Sequence, residues 1–208
     1  MRSVMTPRIA ALGGLILVAT VSLYMIVPAI RPLGQDQIGV SFFTLTVALA
    51  PGLLLGAALY IPAGRFSDRY GRTLPFFAGQ ALLVAGMLTA AAASSLWVAA
   101  AAGWVIFIGN VCCVPAYNAA IMDLAPPSHR GTLIGLTVAL SGLGLGIGPL
   151  LGGFISQEAS PAAVFRVAAL LSTVTGVAIV LYGRHFGAAR GPIEEFTWAE
   201  PERPAPGG

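Results

Sequence analysis

Groups able to carry protons, charge or metal are few in this chain. Its two histidines, His129 and His185, both lie in charged segments. Ser141 sits in an apolar stretch that holds neither of them, so a nucleophile–base pair is not assembled. Cys112 and Cys113 are adjacent in another apolar stretch. Their spacing suits neither a zinc site nor a redox pair, and they read as small packing residues. No two aspartates are placed for an intramembrane aspartyl protease, and no cluster of ligand residues has the spacing of a metal site. These residues predict no catalytic centre, no metal and no cofactor. No nucleic-acid partner is expected.

Charge does concentrate in one place, Gly64-Arg65-Phe66-Ser67-Asp68-Arg69-Tyr70-Gly71-Arg72-Thr73. Asp68 has Arg65 three residues before it and Arg72 four after, so on a helical segment both can lie beside it. Gly64 is expected to let a neighbouring helix approach closely, and Gly71 to supply the positive φ of a turn. The carboxylate can also interact with a helix N-terminus. A basic loop with one incidental aspartate would explain the arginines but not the two glycines.

Uncharged polar residues form a second group. Asn110, Tyr117 and Asn118 stand at i, i+7 and i+8 and are read as one helix face, which Pro115 can kink. Thr20 and Tyr24 are four apart, with Pro28 one turn on. Such residues line a cavity, or they bond between helices at about 1 kcal/mol each in membranes. The pattern is compatible with both.

The third group is the run Ser141 to Gly153. Gly144, Gly148 and Gly152 recur every four residues, beside Pro149 and Gly153. A nucleotide loop fails, because the run is apolar and Ile147 breaks the G-x-G-x-x-G spacing counted from Gly142. The stripe predicts close helix packing or dimerisation. Pro149 removes a backbone donor and bends its helix.

The elements that must position these groups follow from the charge distribution. The 208 residues include 11 Lys+Arg and 8 Asp+Glu, 9% of the chain, against about a quarter in a soluble domain. Mean hydropathy is +0.85. So few charges cannot cover a water-soluble surface, and disorder needs the opposite composition. An integral membrane protein remains. Residues 9–30, 37–64, 73–122, 131–157 and 167–183 carry no charge. A spanning helix takes about 20 residues, so 73–122 must hold two, broken near Ser94-Ser95. Barrel strands would be short and alternating. The expectation is an all-α polytopic membrane protein with six transmembrane helices at about 9–30, 38–62, 74–93, 96–121, 131–155 and 163–183. They form one bundle over 1–186.

Arg2, Arg8, Arg65, Arg69, Arg72, Arg130, Arg184, Arg190 and Arg203 fall on one side of such a bundle, and Arg31 and Arg166 on the other. The positive-inside rule places both termini in the cytoplasm. The first apolar run is longer than a signal-peptide core and lacks a clean cleavage site, so an uncleaved span is favoured. Residues 187–208, with Glu194, Glu195, Glu200 and Glu202, read as a disordered cytoplasmic tail.

The charged run resembles the loop signature of the major facilitator superfamily of transporters, G-x-L-a-D-r-x-G-r-k, through Gly64, Asp68, Arg69, Gly71 and Arg72. Phe66, Ser67 and Thr73 depart from it. Gly144, Gly148, Pro149, Gly152 and Gly153 resemble the family's g-x-x-x-G-P-x-x-G-G helix signature. The preceding Asp123, Pro126-Pro127, Arg130-Gly131 and Gly135 resemble its entry loop. The resemblance covers residues 9–183. It implies that the charged loop latches the halves of a transporter on the cytoplasmic side, with Asp68 in the latch and Arg72 bracing it. It also implies that Tyr24, Asn110, Tyr117 and Asn118 are the candidates for contact with a small, uncharged or amphipathic solute. No ionisable residue lies near a helix centre, and the arginine found in the fourth helix of antiporters would fall near Gly103. Proton coupling within these helices is therefore not expected.

Members of the family have twelve helices in two similar halves. Six correspond to one half: a stand-alone half that dimerises, a half paired with another chain, or part of a longer transporter. The missing arginine slightly favours a C-terminal half. The expected partners are the lipid bilayer of a prokaryotic inner membrane, a second six-helix half and a small-molecule substrate. A non-transporting scaffold or regulatory subunit is the alternative. No internal repeat is evident.

Overall fold

A computed structural model describes residues 7–71, 73–124 and 130–186. The expected tail, 187–208, lies outside these residues. Every regular element among them is helical, and none is a strand. Among the described residues six helices are long and apolar enough to cross a membrane: Ala10–Ile38, Phe42–Ser67, Leu74–Ala91, Leu96–Asn118, Gly131–Glu158 and Pro161–Ile179. We number them spans one to six. In hydrocarbon a backbone has to satisfy its own hydrogen bonds, which helices do. The chain is accordingly an all-α, multi-pass membrane protein. Pro51, Pro62, Pro115 and Pro149 lie inside helices without ending them.

Span one differs from its expected limits of 9–30. It is built from Pro7–Met25, Val27–Pro32 and a π-helical segment, Leu33–Ile38. Arg31 and Pro32 do not stop it. The Arg31 side chain is exposed, and its Nε donates to Gln35 Oε1 at 3.1 Å. The helix ends at Gly39, whose φ of +78° turns the chain. Span two consequently starts at Phe42 rather than 38, behind Ser41, whose hydroxyl accepts from the Thr44 amide. Spans three and four separate at Ala93–Ser95.

The spans pack in the order five–one–six–three–four–two. Reading this order backwards is the same as exchanging one with four, two with five and three with six. The bundle is therefore two triplets of spans packed alike. A triplet is odd in number, so the second crosses the membrane in the opposite sense to the first, the inverted-repeat plan of membrane transporters. No repeat is evident in the residues because the symmetry lies in which helices touch. It recurs in the contacts: span five presents glycines to span one, and span two presents Gly52 and Gly56 to Trp104, Phe107 and Val111 of span four.

Interior hydrogen bonds tie the bundle where it is driest. Ser22 Oγ of span one donates to the Ala168 carbonyl of span six at 2.7 Å and lies 2.9 Å from Ser172 Oγ. Trp104 Nε1 donates to the Ala48 carbonyl at 2.9 Å, joining spans four and two. Spans two and five stand at the ends of the packing order. Only 17% of each is buried, against 50% of span three.

Candidate functional site

Two half-open cavities among the described residues lie one beyond the other along the bundle. The first, about 300 Å³, lies toward the end that carries Gly64–Tyr70. Span one contributes Thr20, span two Tyr60, span three Gln80, span four Tyr117 and span five Ser141. The Tyr117 and Ser141 side chains interact across this cavity. The second cavity, about 320 Å³, lies toward the other end and is walled by aliphatic residues with Phe107 and Phe165. Leu23, Tyr24 and Asn110 line both. Among the described residues, no Asp, Glu, Arg or His lines either one.

Helix geometry explains which candidates meet. Successive residues are turned by about 100°, so seven residues return within about 20° of the starting direction and eight overshoot by about 80°. Tyr117 therefore shares the Asn110 face. Asn118 does not: it is exposed and lines neither cavity. Tyr24 joins the other two from span one. The structure adds Gln80 and Tyr60, which sequence reasoning passed over. A lone amide in an otherwise uncharged span was the available signal for Gln80. Nothing in the pattern distinguished Tyr60.

The charged run is not a simple turn. Helix continues through Tyr70 at the end of Phe42–Tyr70, and Gly71 follows with φ +87°. Arg65 and Arg69 are exposed, whereas Ser67 is 1% exposed and its hydroxyl has no hydrogen-bond partner among the described residues. Gly64 does not serve a close approach, since a Cβ there would meet nothing within 4 Å. The Asp68 side chain and Arg72 lie outside the described residues.

The glycines of span five divide between two faces. A Cβ on Gly144 would come 2.6 Å from Thr20 Cβ, and one on Gly148 would come 2.9 Å from the Val21 carbonyl oxygen. At Gly152 it would run into the Met25 carbonyl. This stripe is filled by span one. Pro149 is half-buried. Gly153 departs from the expected grouping and points elsewhere. With Gly135, Gly142 and Gly146 it is spaced by seven, four and seven residues, which keeps all four within an arc of about 40°. A Cβ on any of these would meet nothing within 4 Å. They form a second, outward stripe.

The sequence matches the model of the Major Facilitator Superfamily over residues 12–204. The chain belongs to the major facilitator superfamily. Among curated members it is 27% identical to the inner membrane transport protein YajR of Escherichia coli over 174 residues, covering 82% of this chain and 37% of that protein. It is 28% identical to the multidrug resistance protein MdtH of Edwardsiella ictaluri, covering 67% of this chain and 35% of that protein. The class B tetracycline resistance protein of Escherichia coli is 31% identical over 127 residues, covering 58% of this chain and 30% of that protein. The chain thus spans about a third of the length of these relatives. In this superfamily member no group of three or more His, Cys, Asp or Glu side chains is placed to hold a metal among the described residues.

Proposed function

We propose that this chain is one six-helix half of a secondary-active transporter of the major facilitator type. It moves a small, uncharged or amphipathic solute across a bacterial inner membrane by alternating access, paired with a second six-helix half. Both termini are cytoplasmic, and the chain is not an enzyme. The observation that carries this reading is the pair of stacked cavities meeting at Tyr24 and Asn110. A solute moving from one of these cavities to the other passes that junction. One cavity offers hydroxyl and amide groups and the other apolar walls, which suits a solute with a polar head and an apolar body. A charged solute would be left without a counter-charge among the lining side chains.

Pairing is supported by the outward glycines of span five. Small residues let a neighbouring helix approach closely in lipid, where apolar burial gives little drive of its own. These glycines sit on a span that is largely uncovered within the chain. The inner-membrane and drug-resistance names of its relatives agree with the location and the solute class. Protomer count in nanodiscs, combined with a counterflow screen in proteoliposomes, tests the proposal. A paired assembly with solute counterflow is expected. A strict monomer without flux would instead favour a scaffold or regulatory subunit.

A further inference from the structure

We propose that Gln80 is a solute-recognition residue whose side-chain oxygen accepts a hydrogen bond from the solute. The chain would then select uncharged solutes carrying an O–H or N–H donor on an apolar body. This inference rests on reading the two cavities as a solute path.

Gln80 is 3% exposed and lines the more polar cavity. Its Oε1 is buried and accepts no hydrogen bond from any described residue. An amide oxygen in such a place normally finds a donor. None of the described groups lining the cavity donates to it, and the nearby Thr20 hydroxyl is directed to the Ile16 carbonyl at 2.7 Å. The stem of Gln80 is fixed by packing. A Cβ on Gly176 of span six would lie 3.4 Å from the Gln80 Cβ, ordinary van der Waals contact. The amide is thus held at the cavity wall by the third and sixth spans, which pack against each other at the centre of the bundle.

Turning the terminal amide toward the cavity lets a donor on the solute satisfy the buried acceptor. A solute of the same shape without one leaves it unpaired, and that asymmetry discriminates between them. The apolar body then extends past Tyr24 into the aliphatic cavity.

The test compares 2-naphthol with 2-methoxynaphthalene, both neutral at pH 7 and both fluorescent. Equilibrium binding is measured to the full chain in nanodiscs, with empty nanodiscs subtracted. Wild type is expected to prefer 2-naphthol by roughly tenfold. Gln80→Met keeps the side-chain length and removes the acceptor, so it should lose that preference while holding 2-methoxynaphthalene as before. Equal binding of the two probes by wild type overturns the role of Gln80 and leaves the cavity reading standing. A preference that survives in Gln80→Met also overturns it. Failure of wild type to bind either probe overturns the cavity reading and this inference together. The wild-type comparison requires no variant, so a misfolded Gln80→Met does not remove the test.

Discussion

Tyr24 of span one and Asn110 of span four meet where the two cavities join. The two spans exchange under the triplet symmetry, and both residues line both cavities. If the junction is where a solute crosses, replacing Asn110 removes an amide from the crossing point. Losing one or two hydrogen bonds of about 1 kcal/mol lowers counterflow roughly five- to thirtyfold. Asn118→Ala, on the exposed side of the same helix, leaves counterflow within about twofold. Equal losses in Asn110→Ala and Asn118→Ala would remove the distinction drawn between them.

The inner and outer glycine stripes of span five predict opposite phenotypes. Gly148→Leu forces a branched side chain against the backbone of span one at Val21. Overpacking of this kind costs about 1–3 kcal/mol, visible as a lower thermal midpoint in detergent. Gly142→Leu projects into open space and leaves that midpoint nearly unchanged, within about 0.5 kcal/mol. It reduces assembly with a second half instead. A normal midpoint for Gly148→Leu would contradict the close contact of spans one and five.

Ser22 and Ser172 supply a measurable interhelical coupling. In a double-mutant cycle, Ser22→Ala and Ser172→Ala should couple by about 0.6 kcal/mol, the average for such bonds in membrane bundles. Ser22→Ala is the costlier single change, since it also removes the donation to the Ala168 carbonyl. Strictly additive effects would mean that the two hydroxyls do not share a hydrogen bond.

The charged run yields a prediction about transport alone. Asp68→Asn should lower counterflow while leaving expression and membrane insertion intact, because the latch role that the family resemblance implies for it would operate between halves rather than within this bundle. Unaltered flux in that variant would detach Asp68 from the transport cycle.

Spans were legible in the sequence because lipid enforces a simple rule: charge sits at helix ends, and about twenty apolar residues separate one end from the next. The rule misled at Arg31, which reads as an end yet lies within a continuing helix, where its guanidinium reaches the exposed surface and Gln35. The cavity was half legible. Asn110 and Tyr117 share a face by spacing alone, and Tyr24 was reachable through the family pattern. Gln80 and Tyr60 were not, because spans this uniformly apolar carry no polar face to mark which side turns inward. Packing decides it: Gln80 is brought to the cavity by the contact of span three with span six. The glycines of span five were legible as a pattern but not as two faces, since seven-residue and four-residue spacings overlap in one short run.

Span five has a mechanical character that follows from those two faces. Glycine in a helix interior costs roughly 0.5–1 kcal/mol relative to alanine, because it leaves the backbone more freedom to lose. Pro149 removes a rung of the same helix. Span five is therefore held in shape only weakly by its own residues, and it is largely uncovered within the chain. It also carries Ser141 at the wall of the polar cavity. That wall deforms at low cost, so a force applied to span five from outside the chain reaches the cavity at Ser141.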